Sequence, residues 1–185
     1  VALVLTACVT TAPKAPLGAR PEARAWFALE VGARWTYEVK LLGETRTIDV
    51  EMLRRTDDGF LEDSTGAQFL ADAYGVRDQK RYLLRNPIES GTRWTNVVSV
   101  QTLERYEIVG VGQPCEAPAG AWENCVIVES RNRVQEGTTL VNEMTFAPGV
   151  GIVRVSTVLE TEGKQIPQST LTLLRFSRPG LPERP

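Results

Sequence analysis

The 185-residue chain contains no histidine. That absence excludes Ser-His and Cys-His catalysis, His-ligated metal sites and imidazole pH switching. Excess charge is lacking too: 21 Lys+Arg against 23 Asp+Glu leave a formal net charge of −2, which gives no electrostatic case for binding nucleic acid. No apolar run approaches the roughly 20 residues of a membrane-spanning helix. No Gly-x-Ser-x-Gly or Ser-x-x-Lys nucleophile motif occurs. Gly110-Val111-Gly112 and Gly149-Val150-Gly151 are too short to cradle phosphate, and neither leads from a strand into a helix. No fixed-period repeat is present. Accordingly no catalytic residue, metal ligand or cofactor is expected, and a non-enzymatic role is. An enzyme would have to work with carboxylates alone, as glycosidases do. With 42% hydrophobic and 24% charged residues, the composition is that of one globular domain.

Cysteine is scarce, at three residues, and the three fall into two roles. The chain opens Val1-Ala2-Leu3-Val4-Leu5-Thr6-Ala7-Cys8, small or apolar up to the cysteine. Leu5-Thr6-Ala7-Cys8 resembles the lipobox of bacterial lipoprotein signal peptides. The resemblance implies that residues 1–7 are the remnant of an export signal and that the Cys8 thiol carries diacylglycerol. Val9, where the enteric inner-membrane retention rule wants aspartate, implies the outer membrane, with the domain in the periplasm or at the cell surface. Several acyl chains anchor far more firmly than one, at roughly 0.8 kcal/mol per buried methylene. Residues 8–25 follow as a proline- and alanine-containing tether with little to bury. At about 3.1 Å per residue they reach on the order of 50 Å.

With Cys8 lipidated, Cys115 and Cys125 remain as an even pair in an oxidising compartment. Pro118-Ala119-Gly120 lies midway between them and can turn the chain back. A structural disulfide is the preferred reading, ahead of free structural thiols and well ahead of redox chemistry, which favours Cys-x-x-Cys on a helix.

From residue 26 the pattern is that of strands. A short helix is expected over 21–29, with Pro21 at its first position. Trp35, Tyr37, Val39 and Leu41 then alternate with polar residues, as do Ile48, Val50 and Met52. Further strand-like runs cover 60–64, 68–73, 80–84, 93–100, 103–109, 122–131, 138–146, 152–160 and 170–176. Turn signals separate them, including Asp57-Asp58-Gly59, Gly110 to Pro114, Glu136-Gly137 and Glu162-Gly163. About ten short strands imply an all-β fold: a single antiparallel β domain over 26–178, built as a curved half-barrel, barrel or sandwich. The tail, 179–185, is expected to be disordered.

Three clusters carry chemistry only if the fold gathers them. Asp57, Asp58, Glu62 and Asp63 lack the spacing of a calcium loop and read as a solvated turn. Arg54, Arg55, Arg81, Arg85, Arg131 and Arg133 read as surface ion pairs rather than an anion site. Trp35, Tyr37, Trp94, Tyr106 and Trp122 read as core rather than as a ligand platform.

Four segments are familiar in combination: 27–37 (Phe-Ala-Leu-Glu-Val-Gly-Ala-Arg-Trp-Thr-Tyr), 87–94 (Pro-Ile-Glu-Ser-Gly-Thr-Arg-Trp), 118–126 (Pro-Ala-Gly-Ala-Trp-Glu-Asn-Cys-Val) and 146–153 (Phe-Ala-Pro-Gly-Val-Gly-Ile-Val). Together they resemble a broad group of exported bacterial proteins, many of them lipoproteins. By a looser analogy the sheet is similar to the half-barrel of the lipoprotein-localisation factors, which wraps a hydrophobic cavity. The chain is therefore expected to be an outer-membrane-anchored lipoprotein, held to the membrane through Cys8 and contacting an envelope protein as a binding or accessory module. The alternative is a carrier or chaperone for an acyl chain or other hydrophobic ligand, held in the concave face.

Overall fold

A computed structural model describes residues 22–180. Cys8, the signal remnant 1–7, the tether up to residue 21 and the tail from residue 181 lie outside the described residues. Among the described residues the fold is all-β, a single antiparallel sheet of twelve strands nearly closed into a barrel, and the one helical element is a 3-10 turn, Ala23–Trp26.

The strands are β1 (Arg34–Leu41), β2 (Glu44–Arg55), β3 (Leu61–Asp63), β4 (Gln68–Asp72), β5 (Gly75–Arg77) and β6 (Tyr82–Arg85). They continue with β7 (Arg93–Ser99), β8 (Thr102–Ala117), β9 (Gly120–Gln135), β10 (Thr138–Ala147), β11 (Gly151–Thr161) and β12 (Lys164–Ser177). Each pairs with its neighbour in sequence except at two places. β1 pairs with β12, with Arg34 opposite Ser177 and Leu41 opposite Ser169, and so joins the two ends of the chain. β6 and β7 carry no ladder between them and are the two edges of the sheet.

That seam is closed by side chains. The buried Asn96 on β7 accepts from the Tyr82 amide at 3.0 Å and donates to the Tyr82 carbonyl at 3.1 Å, reproducing with one carboxamide the pair of bonds a backbone would make. The Trp94 indole donates to the same carbonyl at 2.8 Å, and Arg81 just before β6 grips Glu104 on β8 at 2.7 Å. An exposed strand edge invites pairing with another chain, and this latch occupies part of both edges.

The sequence places a turn at Gly110 to Pro114, whereas β8 runs through it to Ala117. The glycines and proline act instead as bulge residues: the β8–β9 register slips between Ile108 and Gly110, between Val111 and Gln113, and between Gln113 and Cys115. Each slip bends the ribbon. The bent hairpin folds its tip over one end of the barrel, where the Ala119 amide donates to the Leu173 carbonyl at 3.3 Å and Ala119 and Trp122 are buried. Cys115 and Cys125 form the disulfide that holds this tip, with Cα atoms 6.0 Å apart.

The same end is plugged by the segment entering β1. Ala23 and Trp26 are buried, and the Trp26 indole donates to the Asn124 carbonyl at 2.9 Å. The Phe27 ring sits 5.7 Å from Phe69 and 6.3 Å from Phe146. One core cluster gathers Trp35, Met52, Leu61, Trp122, Val153 and Leu173; a second gathers Trp26, Val76, Leu84, Trp94, Ile108 and Phe146. Leu29 packs against both. All the expected core aromatics are buried except Tyr37, which is half-buried.

Candidate functional site

Alternation on β1 and β2 sends Trp35, Tyr37, Ile48, Val50 and Met52 to the inner face, since Trp35 lies opposite Val50 and Tyr37 opposite Ile48. Across the chain-end junction, Leu173 lies opposite Tyr37, Leu171 opposite Val39, and Val155 opposite Leu171. These inner side chains line an open-sided cavity of about 260 Å³ whose walls are Phe27, Trp35, Tyr37, Ile48, Val50, Met52, Phe69, Ile152, Val155 and Leu171, with Asp63, Thr65 and Ala67 on one side. The walls are almost wholly apolar.

Three polar side chains, Tyr37, Asp63 and Thr65, line this cavity and all are engaged. The Tyr37 hydroxyl donates to the Ile152 carbonyl at 2.9 Å. Burial of the phenol, and then the nearby Asp63 carboxyl, push its pKa far above the ordinary tyrosine value, so it stays a neutral donor. Asp63 is itself buried, and its Oδ1 accepts from the Thr65 amide at 2.8 Å, the Thr65 hydroxyl at 2.7 Å and the Ala67 amide at 3.0 Å. Those three bonds fold the β3–β4 turn against the cavity. The expectation of a solvated acidic turn thus holds for exposed Asp57 and Asp58 and fails for Asp63. The missed signal is Asp-x-Thr-x-Ala, an Asx-type turn in which the carboxyl caps the amides two and four residues on.

The fold separates the arginines rather than collecting them. Arg54 pairs with Glu62 at 2.9 Å, Arg81 with Glu104, and Arg131 with both Glu129 and Glu160. Arg55 donates to the Gly59 carbonyl at 2.8 Å, and Arg85 lies over the Tyr82 ring at 5.6 Å. Two larger depressions, each about 640 Å³, lie on the outer face: one around Arg34, Asp49 and Glu51, the other around Arg93, Glu107 and Arg131. Their charges are used internally, with Arg34 on Glu51 at 2.9 Å, Thr36 on Asp49 at 2.6 Å and Arg93 on Glu107 at 2.8 Å. Among the described residues no group of three or more His, Cys, Asp or Glu is placed to hold a metal ion. The inner apolar cavity is therefore the candidate site.

The sequence names Trp35 and Tyr37 among its walls but takes them as plain core. Phe27 and Ile152 belong to two of the four familiar segments, 27–37 and 146–153, whereas Phe69 reaches the cavity from β4, outside all four. The same two segments are joined where the Val150 carbonyl accepts from the Trp35 indole at 2.9 Å, which fixes one wall.

No protein-family model and no curated protein matches the chain. Two solved structures align with it. One is a protein of Parabacteroides distasonis provisionally described as a lipoprotein, 11% identical, with a TM-score of 0.43, covering 82% of this chain and 98% of its own. The other is a protein of Bacteroides fragilis provisionally described as exported and as having a YmcC-like fold; it is 14% identical, with a TM-score of 0.47 and the same coverage, 82% and 98%. Both are likenesses of chain path, and the functional reading below is argued from this chain's own residues.

Proposed function

We propose that the chain is an outer-membrane lipoprotein, anchored through Cys8, that binds an acyl chain or a similar apolar group in its barrel without converting it. The observation that carries this reading is the apolar cavity between β1, β2, β11 and β12. Its volume of about 260 Å³ lies just under the ~300–1,000 Å³ of pockets that enclose a whole drug-sized ligand, so it suits part of a lipid: a chain end. Each methylene moved there from water contributes about 0.8 kcal/mol, so six contribute about 5 kcal/mol. An acidic side chain in the wall, Asp63, disfavours an anionic headgroup at that depth and orients the ligand tail-first.

This places the carrier reading ahead of the protein-contact module expected first from the sequence. Envelope location rests on the Leu5-Thr6-Ala7-Cys8 lipobox and fits the Cys115–Cys125 bond, since disulfides persist in oxidising compartments. The non-enzymatic part rests on the absence of histidine and of nucleophile motifs.

The test uses the chain carrying Cys8→Ser, so that its own lipid does not compete. A dansyl-labelled fatty acid is titrated against it and against Val155→Phe, which fills the cavity from β11, with Val155→Ile as the conservative control. The expected outcome is saturable binding weakened at least tenfold by Val155→Phe, with the melting temperature kept. Binding that is absent, or indifferent to Val155→Phe, overturns the reading.

A further inference from the structure

The two ends of the barrel are chemically different. One end holds the plug and the disulfide tip. The opposite end is formed by four hairpin turns: β1–β2 at Leu42-Gly43, β7–β8 at Val100-Gln101, β9–β10 at Glu136-Gly137 and β11–β12 at Glu162-Gly163. The four turns of this rim point the same way along the sheet. The registers set the β9–β10 and β11–β12 tips level, since Thr161 lies opposite Lys164 and Thr138, and Thr138 opposite Gln135. The β1–β2 tip, with Leu41 opposite Ser169, meets β12 five residues past its start at Lys164.

Exposed apolar residues concentrate on that rim. Of the twelve large hydrophobic residues exposed among the described residues, seven lie there: Leu41, Leu42, Val97, Val100, Leu103, Val134 and Ile166. The tips themselves are the most open, Leu42 at 79% exposure and Val100 fully exposed. Hydrophobic side chains scattered singly over a surface mean little, but a set gathered around one opening marks a contact surface. Inside the rim the apolar lining continues to the cavity on one side: Leu41 and Val39 on β1 lead down to Tyr37, and Leu171 opposite Val39 already forms the cavity wall.

We infer that this rim is a docking surface for a lipid bilayer, through which the cavity takes up or gives back its acyl chain. This builds on the acyl-binding reading and names where the ligand comes from. The occupant is chosen by the geometry of the anchor. The described chain begins at Glu22 on the plugged end, where the Ala23 amide donates to Asn86 Oδ1 at 2.8 Å and the Ala25 carbonyl accepts from Gly149 at 2.8 Å. From Cys8 to Glu22 are 14 residue steps, which extended span at most about 46–50 Å. The longest strands, β8 and β9 with 16 residues each, rise about 53 Å along their own axis and about 40 Å along a barrel whose strands tilt by roughly 35–45°. The tether is thus longer than the barrel is tall, so the rim reaches the membrane that holds the anchor even though the anchor enters at the opposite end. Glu44, Glu136 and Glu162 stand at the rim with Arg46 and Lys164, while Lys40 pairs with Glu38 at 2.9 Å, so the attraction there is apolar rather than electrostatic.

The test is flotation with vesicles of phosphatidylethanolamine and phosphatidylglycerol. The chain carrying Cys8→Ser is compared with the same chain carrying Leu42→Glu and Val100→Glu, two exposed tip residues outside the cavity wall. The expected result is that the Cys8→Ser chain floats with the vesicles and that the double tip variant floats at least tenfold less, with unchanged melting temperature and unchanged fatty-acid binding in solution. A parent chain that stays at the bottom of the gradient overturns the inference, as does a tip variant that floats equally well. A concentration-dependent dimer in sedimentation analysis, broken by the tip variant and without vesicle binding, also overturns it by assigning the rim to a second copy of the chain. The two readings fail separately in the Cys8→Ser chain itself: no fatty-acid binding with flotation intact refutes the cavity, and no flotation with fatty-acid binding intact refutes the rim.

Discussion

Replacing Asn96 with leucine tests whether side chains can close a sheet. Asn96 is 5% exposed, and its carboxamide supplies both bonds to the Tyr82 peptide across the β6–β7 seam. Leucine is similar in size and cannot hydrogen-bond. The Tyr82 carbonyl keeps the Trp94 indole at 2.8 Å, but the Tyr82 amide loses its partner. Two lost bonds at about 1 kcal/mol each, with a further 1–3 kcal/mol where a buried donor is stranded and some return from apolar burial, give a destabilisation of about 2–4 kcal/mol. For a domain of this size that lowers the melting temperature by roughly 5–15 °C. Thermal unfolding by circular dichroism measures it, and amide hydrogen exchange locates it, since Tyr82 should lose protection first. Asn96→Asp keeps an acceptor for the Tyr82 amide but sets a carboxylate oxygen against the Tyr82 carbonyl and opposite Glu104, so at neutral pH it should be no more stable than Asn96→Leu. Thr95→Leu, on the exposed outer face of the same strand, should stay within about 0.5 kcal/mol of the parent. An Asn96→Leu chain that melts within about 2 °C of the parent, with Tyr82 still protected, would refute the latch.

Three further outcomes follow from the packing. Gly75 has φ +155°, and a Cβ there would stand 2.1 Å from the Leu84 carbonyl oxygen on β6, so Gly75→Ala should cost upwards of about 3 kcal/mol or leave the chain insoluble on expression, read by chemical denaturation and yield. Replacing Cys115 and Cys125 together with alanine opens a loop of 10 residues and should lower stability by about 3 kcal/mol on the chain-entropy account, with the denaturation midpoint falling at an unchanged slope. Burial, helped by the Glu104 carboxylate and its hydrogen bond, raises the Tyr106 pKa to about 12, so between pH 10 and 12 the unfolded chain loses a proton that the folded chain keeps. Stability should therefore be intact below pH 10 and fall by up to about 1.4 kcal/mol per pH unit above it, with a shallower decline in Tyr106→Phe, measured by urea denaturation across that range.

Much of the barrel is legible in the chain because strands with one buried face announce themselves. Trp35-x-Tyr37-x-Val39-x-Leu41 and Ile48-x-Val50-x-Met52 alternate without a break, and each forms the strand its pattern implies. The two-residue spacing breaks down where the chain bends. Gly110, Gly112 and Pro114 look locally like a turn, and only the partner strand β9 shows them to be bulges inside a longer ribbon. β5 is three residues long and too short to show a period at all. The Cys115–Cys125 pair was readable, since a pairing across ten residues with Pro-Ala-Gly at its middle is a local event. The cavity was not. It is a property of spacing between Phe27, Phe69, Val155 and Leu171, which lie far apart in sequence, and periodicity tells which face a residue is on but not how closely opposite faces meet.

The side-chain links are unevenly placed along the barrel. The disulfide, the Trp26 indole on Asn124 and the Trp35 indole on Val150 are all at the plugged end, and the Asn96 latch closes part of the β6–β7 seam. Toward the rim the links join neighbouring strands, with Thr157 to Asn142 at 2.8 Å and Asn142 to Ser130 at 3.2 Å in mid-strand and Thr138 to Thr161 at 3.3 Å beside the tips, and the hairpin tips end in exposed side chains. Regions with few buried contacts open at a small fraction of the global unfolding free energy. The acyl-binding proposal predicts that the strands part at the rim rather than at the plugged end, so that a ligand enters tail-first without the core unfolding. The same asymmetry requires that cavity-filling at Val155 and charge at Leu42 and Val100 be separable in their effects, because the first alters the floor of the site and the second only its threshold.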